Sequence, residues 1–119
     1  MAQSHETGKK GEQLAAEFLK KEGYRILATN WRSGQLEIDI IALKDDVLHI
    51  IEVKARSSGT HGNPELFVDR KKQKLLARAA AHFLSLQGLD VEIRFDVMAI
   101  LIHESGHQIR HIQDAFYVF

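Results

Sequence analysis

The chain has 119 residues, 45% hydrophobic and 27% charged, with a formal net charge of zero. That composition is ordinary for a globular protein and fits one domain, residues 1–119, burying roughly 65% of its unfolded surface. Cysteine is absent, which excludes disulfides and thiolate metal sites and leaves oxygen and imidazole as the only ligands on offer. The apolar runs fall far short of the ~20 residues that cross a bilayer and the N-terminus is polar, so no membrane partner is expected and the cytoplasm is the expected location.

No repeat or linker interrupts the chain, and its single proline, Pro64, marks a loop. Over residues 9–22, Leu14, Ala15, Phe18 and Leu19 recur at helical spacing and Gly23 supplies a stop, predicting a first helix. Residues 24–31 predict a short strand. The segments 36–43 and 47–55 are β-branched and strongly apolar, and they flank Lys44, Asp45 and Asp46 in the pattern of a hairpin. Residues 57–64 read as a loop. A second helix is predicted over 68–86, with Leu75, Leu76, Ala79, Ala80, Phe83 and Leu84 inward and an end near Gly88. Residues 91–101 form another apolar strand, Glu104, Ser105 and Gly106 a turn, and residues 108–113 a last strand. The order α-β-β-β-α-β-β predicts an α/β protein with helices packed on a mixed sheet.

Charge is unevenly spread. Residues 54–78 hold seven basic and two acidic side chains, a local +5 between stretches of −2 and −3. Phosphates supply most of the affinity in nucleic-acid binding, so this block points to such a partner, although a solvated face has the same look. Within it, Lys71, Lys74 and Arg78 recur at i, i+3 and i+7 as a basic stripe opposite the leucines. Arg56 and Gln73 join them as candidate nucleic-acid contacts.

The informative anomaly is that Glu37, Asp39, Glu52 and Lys54 interrupt two otherwise apolar strands. A buried carboxylate costs several kcal/mol unless it is paired, hydrogen-bonded or bound to metal. If Asp45 and Asp46 form a two-residue turn, Lys44 pairs with Val47, Asp39 comes opposite Glu52 and Glu37 opposite Lys54, all on one face. A three-residue turn would shift the register and put Asp39 and Glu52 on opposite faces. The two-residue turn is the expectation. Carboxylates meeting across a hairpin suit Mg²⁺ or Mn²⁺, and a lysine beside them completes a phosphodiesterase site. A purely structural ion-pair cluster is the alternative.

The spacing of Asp39 and Glu52-Val53-Lys54 resembles that of the PD-(D/E)xK nuclease superfamily. The whole chain is similar to the small bacterial YraN-like proteins, through GEQLAAEFLKKEGYRIL, NWR, EIDIIA, IIEVKARSS, DRKKQKLLARAA, RFDVMAI and the closing HIQDAF. The resemblance implies a restriction-endonuclease-like three-layer sandwich around a central mixed β-sheet. It further implies Asp39 and Glu52 as catalytic metal ligands, the Val53 carbonyl as a third ligand, and Lys54 as catalytic base or charge stabiliser. Likeness to archaeal Holliday-junction resolvases implies a catalytic role for Glu12; Glu37, placed on the same face by the hairpin register, is an accessory candidate. Ile38 stands where the motif name has proline, Leu36 where YraN-like proteins commonly have glycine, and Ala55 where threonine is common.

Each remaining residue has a plain reading. Glu12 could be an acid near a helix start favoured by the dipole. His103, His107 and His111 have i, i+4, i+8 spacing, but Ser105-Gly106 argues for a turn that separates them, so no zinc site is expected. Trp31 is expected in the core rather than stacked on nucleic acid with Arg32, and Arg94 and Asp96 are expected to pair. The predicted function is a Mg²⁺- or Mn²⁺-dependent endonuclease on DNA, at branched or single-stranded structures; the oligomeric state is not readable from the chain, though a homodimer would suit a junction with two strands to cut. The alternatives are a non-catalytic nucleic-acid-binding module of the same fold and an adaptor acting through residues 116–119.

Overall fold

The computed structural model describes residues 2–57 and 67–118, with side chains from residue 6 onward. In chain order the elements are α1 (Ala2–Lys21), β1 (Arg25–Ser33), β2 (Leu36–Lys44), β3 (Val47–Ser57), α2 (Arg70–Gln87), β4 (Glu92–His103) and β5 (Gly106–Phe116). This is the predicted α-β-β-β-α-β-β order. The expected loop at 57–64, including Pro64, lies outside the described residues except for Ser57, which ends β3.

The five strands follow sequence order across the sheet, β1-β2-β3-β4-β5. All neighbours are antiparallel except β3 and β4, which are parallel. A parallel pair needs a long crossover, and α2 lies within it. Each helix covers one face, giving an α/β sandwich. Ala15 and Leu19 of α1 pack with Ile40, Ala42, Ile51, Met98 and Ile100. Leu76, Ala79, Ala80 and Phe83 of α2 pack with Ile38, Ile41, Leu48, Ile50 and Val97. Trp31 is in this second layer, edge-on to Phe83 at 5.3 Å, as expected of a core residue.

Helix boundaries follow local chemistry. Asp69 caps α2 by accepting the Lys72 N–H at 2.8 Å, and Gly88 closes it at φ 63, a left-handed conformation that glycine adopts without a Cβ clash. Two expectations need correction. The first helix begins at Ala2 rather than residue 9, so Glu12 sits mid-helix and gains nothing from an N-terminal dipole. Leu75 is not inward but 38% exposed, because the buried stripe runs through Leu76, Ala79, Ala80 and Phe83.

Between β2 and β3 the turn is Asp45-Asp46, with φ of 51 and 61, and Lys44 pairs with Val47. Positive φ at both central residues is the type I′ geometry that matches strand twist, and aspartate tolerates it better than most residues. The two-residue turn and its register are therefore as predicted.

Candidate active site

The β2–β3 ladder runs from Lys44↔Val47 to Ile40↔Ile51 and stops there. Continued by one position, this register would set Asp39 against Glu52 at a site without ladder hydrogen bonds, and the Glu52 charge does bear on Asp39. The next position would let Val53 exchange hydrogen bonds with Ile38. Instead the Val53 N–H donates to Asp39 Oδ2 at 2.8 Å, so a carboxylate takes the place of the partner strand. The Val53 carbonyl is directed to the same side of β3 by that register.

An irregularity lies across the sheet at the same level in β1. Asn30 has φ 49, and the β1–β2 pairing passes from Thr29↔Ile40 to Trp31↔Ile38 without pairing Asn30 to Asp39. Side-chain alternation fails at that point. Ile38 packs on the α2 side and Ile40 on the α1 side, although residues two apart in a strand ordinarily share a face.

This corrects the expectation for Glu37. It does not face Lys54 but pairs with Arg32 at 2.9 Å, and it lines a cavity of about 750 Å³ with Lys9, Glu12, Gln13, Thr29 and Asn30. Glu52 and Lys54 do share a face, being two apart on β3. The Lys54 ammonium donates to the Phe67 carbonyl at 2.5 Å, fastening the segment before α2 to β3.

Glu12 reaches the acids because α1 lies tightly on β3. A Cβ built on Gly11 would fall 2.5 Å from the Ala55 Cβ, so only glycine permits this approach. Burial raises the Glu12 pKa, as do the charges of Glu37 and Glu52, against a lowering hydrogen bond from Asn30. Its Oε1 is buried without a hydrogen-bond partner. Asp39 is pushed up to about 7, first by burial, then by Glu52 and Glu12, while the Val53 N–H and Lys72 pull it down. Like charges crowded in a low dielectric favour protonation of one of them.

Lys72 was not anticipated. Its ammonium meets Glu52 Oε1 at 2.5 Å, the Glu52 side chain being 11% exposed. The signal lay in α2, where Lys72 stands one turn before Leu76 and leads the inward stripe rather than the basic one. Lys71, Lys74 and Arg78 lie on the exposed side of α2, and Arg56 is exposed with its guanidinium on the Ala55 carbonyl. The Gln73 side-chain amide donates to the Val68 carbonyl at 2.7 Å.

A second polar cluster lies under the other end of α1. Asp96 accepts from His49 Nδ1 at 2.6 Å, His111 Nε2 at 2.9 Å and the Asp114 N–H at 2.9 Å. Burial would raise its pKa, but those hydrogen bonds outweigh it and hold the carboxyl at about 2. Arg94 is therefore not the partner of Asp96; it pairs along its own strand with Glu92 at 2.6 Å, on the exposed side. His103 and His107 lie at the β4–β5 turn, away from His111, as expected of a hairpin. The polar residues His49 and Asp96 in apolar strands were the same kind of anomaly that exposed Asp39.

Among the described residues, no three histidine or acidic side chains already stand close enough to hold an ion together. The donor set nonetheless fits a hard cation. Asp39, Glu52 and the Val53 carbonyl are all oxygen donors, and among the described residues Lys72 is the one cation that bears on these crowded acids, beside a Glu12 oxygen without a hydrogen-bond partner.

The mixed sheet, the two covering helices and the Asp39, Glu52-x-Lys54 arrangement on neighbouring strands define a PD-(D/E)xK-like α/β domain. The profile of the uncharacterised protein family UPF0102 matches residues 11–100. A UPF0102 protein of Flavobacterium psychrophilum is 47% identical over 119 residues, covering the whole of both chains. One from Christiangramia forsetii is 46% identical, again over the whole of both, and one from Bacteroides thetaiotaomicron 42%, over 98% of this chain and 97% of its own. The chain belongs to UPF0102, the YraN-like group. None of its described helices is long and apolar enough to cross a membrane.

Proposed function

We propose that this protein is a metal-dependent endonuclease that hydrolyses phosphodiester bonds in DNA, at branched or single-stranded structures. The observation that carries this reading is the hairpin register, which sets Asp39 beside Glu52 next to Glu12, an acid with an unpartnered buried oxygen. Asp39, Glu52 and the Val53 carbonyl would hold Mg²⁺ or Mn²⁺. Such an ion supplies a water of lowered pKa and stabilises charge on phosphoryl oxygens. Lys54, on the face of Glu52, is the group to orient the attacking water or to neutralise developing negative charge. Glu12 helps confine the cation by adding negative potential. Lys71, Lys74, Arg78 and Arg56 offer an exposed basic surface for the phosphate backbone. A homodimer would suit a substrate with two strands to cut.

The second reading, a nucleic-acid-binding module that cleaves nothing, is favoured by one observation: Glu52 already has a protein cation, Lys72, in contact with it. The same experiment separates the two. Millimolar Mn²⁺ is expected to raise the melting temperature of the wild type by several degrees and leave Asp39→Ala unmoved. On single-stranded, duplex, flap and four-way DNA with Mn²⁺, the wild type is expected to cut at least one substrate and Asp39→Ala none. Lys54→Ala is expected to keep metal and DNA affinity while cutting about 10²-fold more slowly. A wild type that cuts nothing, or a Lys54→Ala variant as fast as wild type, would replace the enzyme with the binding module.

A further inference from the structure

Lys54 and Lys72 are differently employed. Lys54 spends its ammonium on the Phe67 carbonyl, and among the described residues no ion pair joins it to a carboxylate. Lys72 comes from the first turn of α2. Its backbone is fixed by the Asp69 cap, which holds the Lys72 N–H at 2.8 Å, so the first turn of α2 aims its side chain at the sheet. Its ammonium contacts Glu52 Oε1, and its charge also lowers the pKa of Asp39.

The pair is lopsided in a way that permits exchange. Glu52 is fixed in the middle of β3 with an 11% exposed side chain, whereas the Lys72 side chain is 40% exposed. Apart from Glu52, the Lys72 ammonium has no hydrogen-bond partner among the described residues. A lysine is a compact charge on a flexible stem, so it can leave toward solvent without moving backbone. A divalent ion placed between the carboxylates would meet that ammonium as a like charge at close range, where repulsion is poorly screened.

We propose that Lys72 is a built-in, displaceable cation of the acid pair. It neutralises Glu52 in the metal-free protein, and a divalent ion must expel it to bind. The inference rests on the metal-ion reading of the Asp39–Glu52 site and adds to it the residue that sets how tightly the ion is held. Lys72 is thus a positioning residue whose removal should tighten binding, the opposite of what loss of a supporting contact would do.

The test is calorimetric titration of the full chain with Mn²⁺ alone, comparing wild type, Lys72→Gln and Arg70→Gln. Arg70 is an exposed cation of the same helical turn and controls for the general loss of one positive charge. Lys72→Gln is expected to bind Mn²⁺ about tenfold more tightly than wild type, and Arg70→Gln within about twofold of it. Without metal, Lys72→Gln is expected to melt several degrees lower, and saturating Mn²⁺ to recover the difference. Equal or weaker binding by Lys72→Gln, or equal tightening by Arg70→Gln, overturns the proposal while leaving the metal site standing. If neither wild type nor Lys72→Gln binds Mn²⁺, the metal reading itself fails and Lys72 is a structural ion pair. Should Lys72→Gln not fold, Lys72→Arg keeps the charge with a stronger grip on the carboxylate; it is expected to weaken Mn²⁺ binding several-fold, and unchanged binding overturns the idea.

Discussion

Asp39 and Asp96 are the same residue type on inner strands of the same sheet, and the fold treats them in opposite ways. Asp96, with a fully buried side chain, accepts from two imidazoles and a backbone N–H and is held at about 2. Asp39 receives one backbone N–H and faces two further acids, so burial and repulsion push it to about 7. A buried charge is tolerable when the protein supplies its donors and costly when it does not. The chain satisfies the buried carboxylate of Asp96 with its own groups, and at Asp39 it supplies one N–H and surrounds it with acids.

The largest effect is expected from attacking the satisfied cluster. Asp96→Ala leaves His49, His111 and the Asp114 N–H facing an emptied polar site, and should cost about 3–5 kcal/mol of stability. Denaturant unfolding with a loss under about 1 kcal/mol would mean that the network is not holding the sheet together. Its pH signature is set by sign. The folded pKa lies below the ordinary value of 3.8, so the contribution is fully present above about pH 4 and disappears as pH falls through about 2.

Asp39 should show the reverse. With the folded pKa raised from 3.8 to about 7, its neutral form fits the metal-free fold, and stability is lost as pH rises between those values. The full penalty is on the order of 4 kcal/mol. Asp39→Asn keeps an oxygen for the Val53 N–H and removes the charge. It is therefore expected to melt higher than wild type at pH 8, with the gap closing toward pH 4, and to have lost its response to Mn²⁺. A wild-type advantage at pH 8 without metal would erase the contrast between the two aspartates.

The smallest change links the two regions through α1, which carries Glu12 toward one cluster and sets Phe18 edge-on to His111 in the other. Gly11→Ala puts a methyl against Ala55 and should cost about 1–3 kcal/mol as the helix lifts from β3. It should also narrow the pH-dependent gap between wild type and Asp39→Asn, because Glu12 retreats. A Gly11→Ala protein as stable as wild type would show that α1 has room to adjust.

Much of this could be read from the chain alone, because much of it is local. β-Branched apolar runs placed β2 and β3, and Asp45-Asp46 set the turn and the register from Lys44↔Val47 to Ile40↔Ile51 that leads to Asp39 and Glu52. Helix-period leucines and alanines placed α2, and Gly23 and Gly88 stopped both helices. What the tertiary structure alone decided depends on backbone angles and crossings that no short window encodes. Beside the left-handed Asn30 the alternation of β2 fails and Glu37 pairs with Arg32, an outcome invisible in a strand pattern that assumes regular pleating. The capped start of α2 decides that Lys72, and not a member of the exposed stripe, reaches Glu52. Asp96 finds its histidines on two different strands, one 47 residues back and one 15 ahead. Hydrophobic periodicity is a property of neighbours in sequence and so survives in the chain as text; charge pairing between elements is a property of neighbours in space, and exists only once the sheet has brought them together.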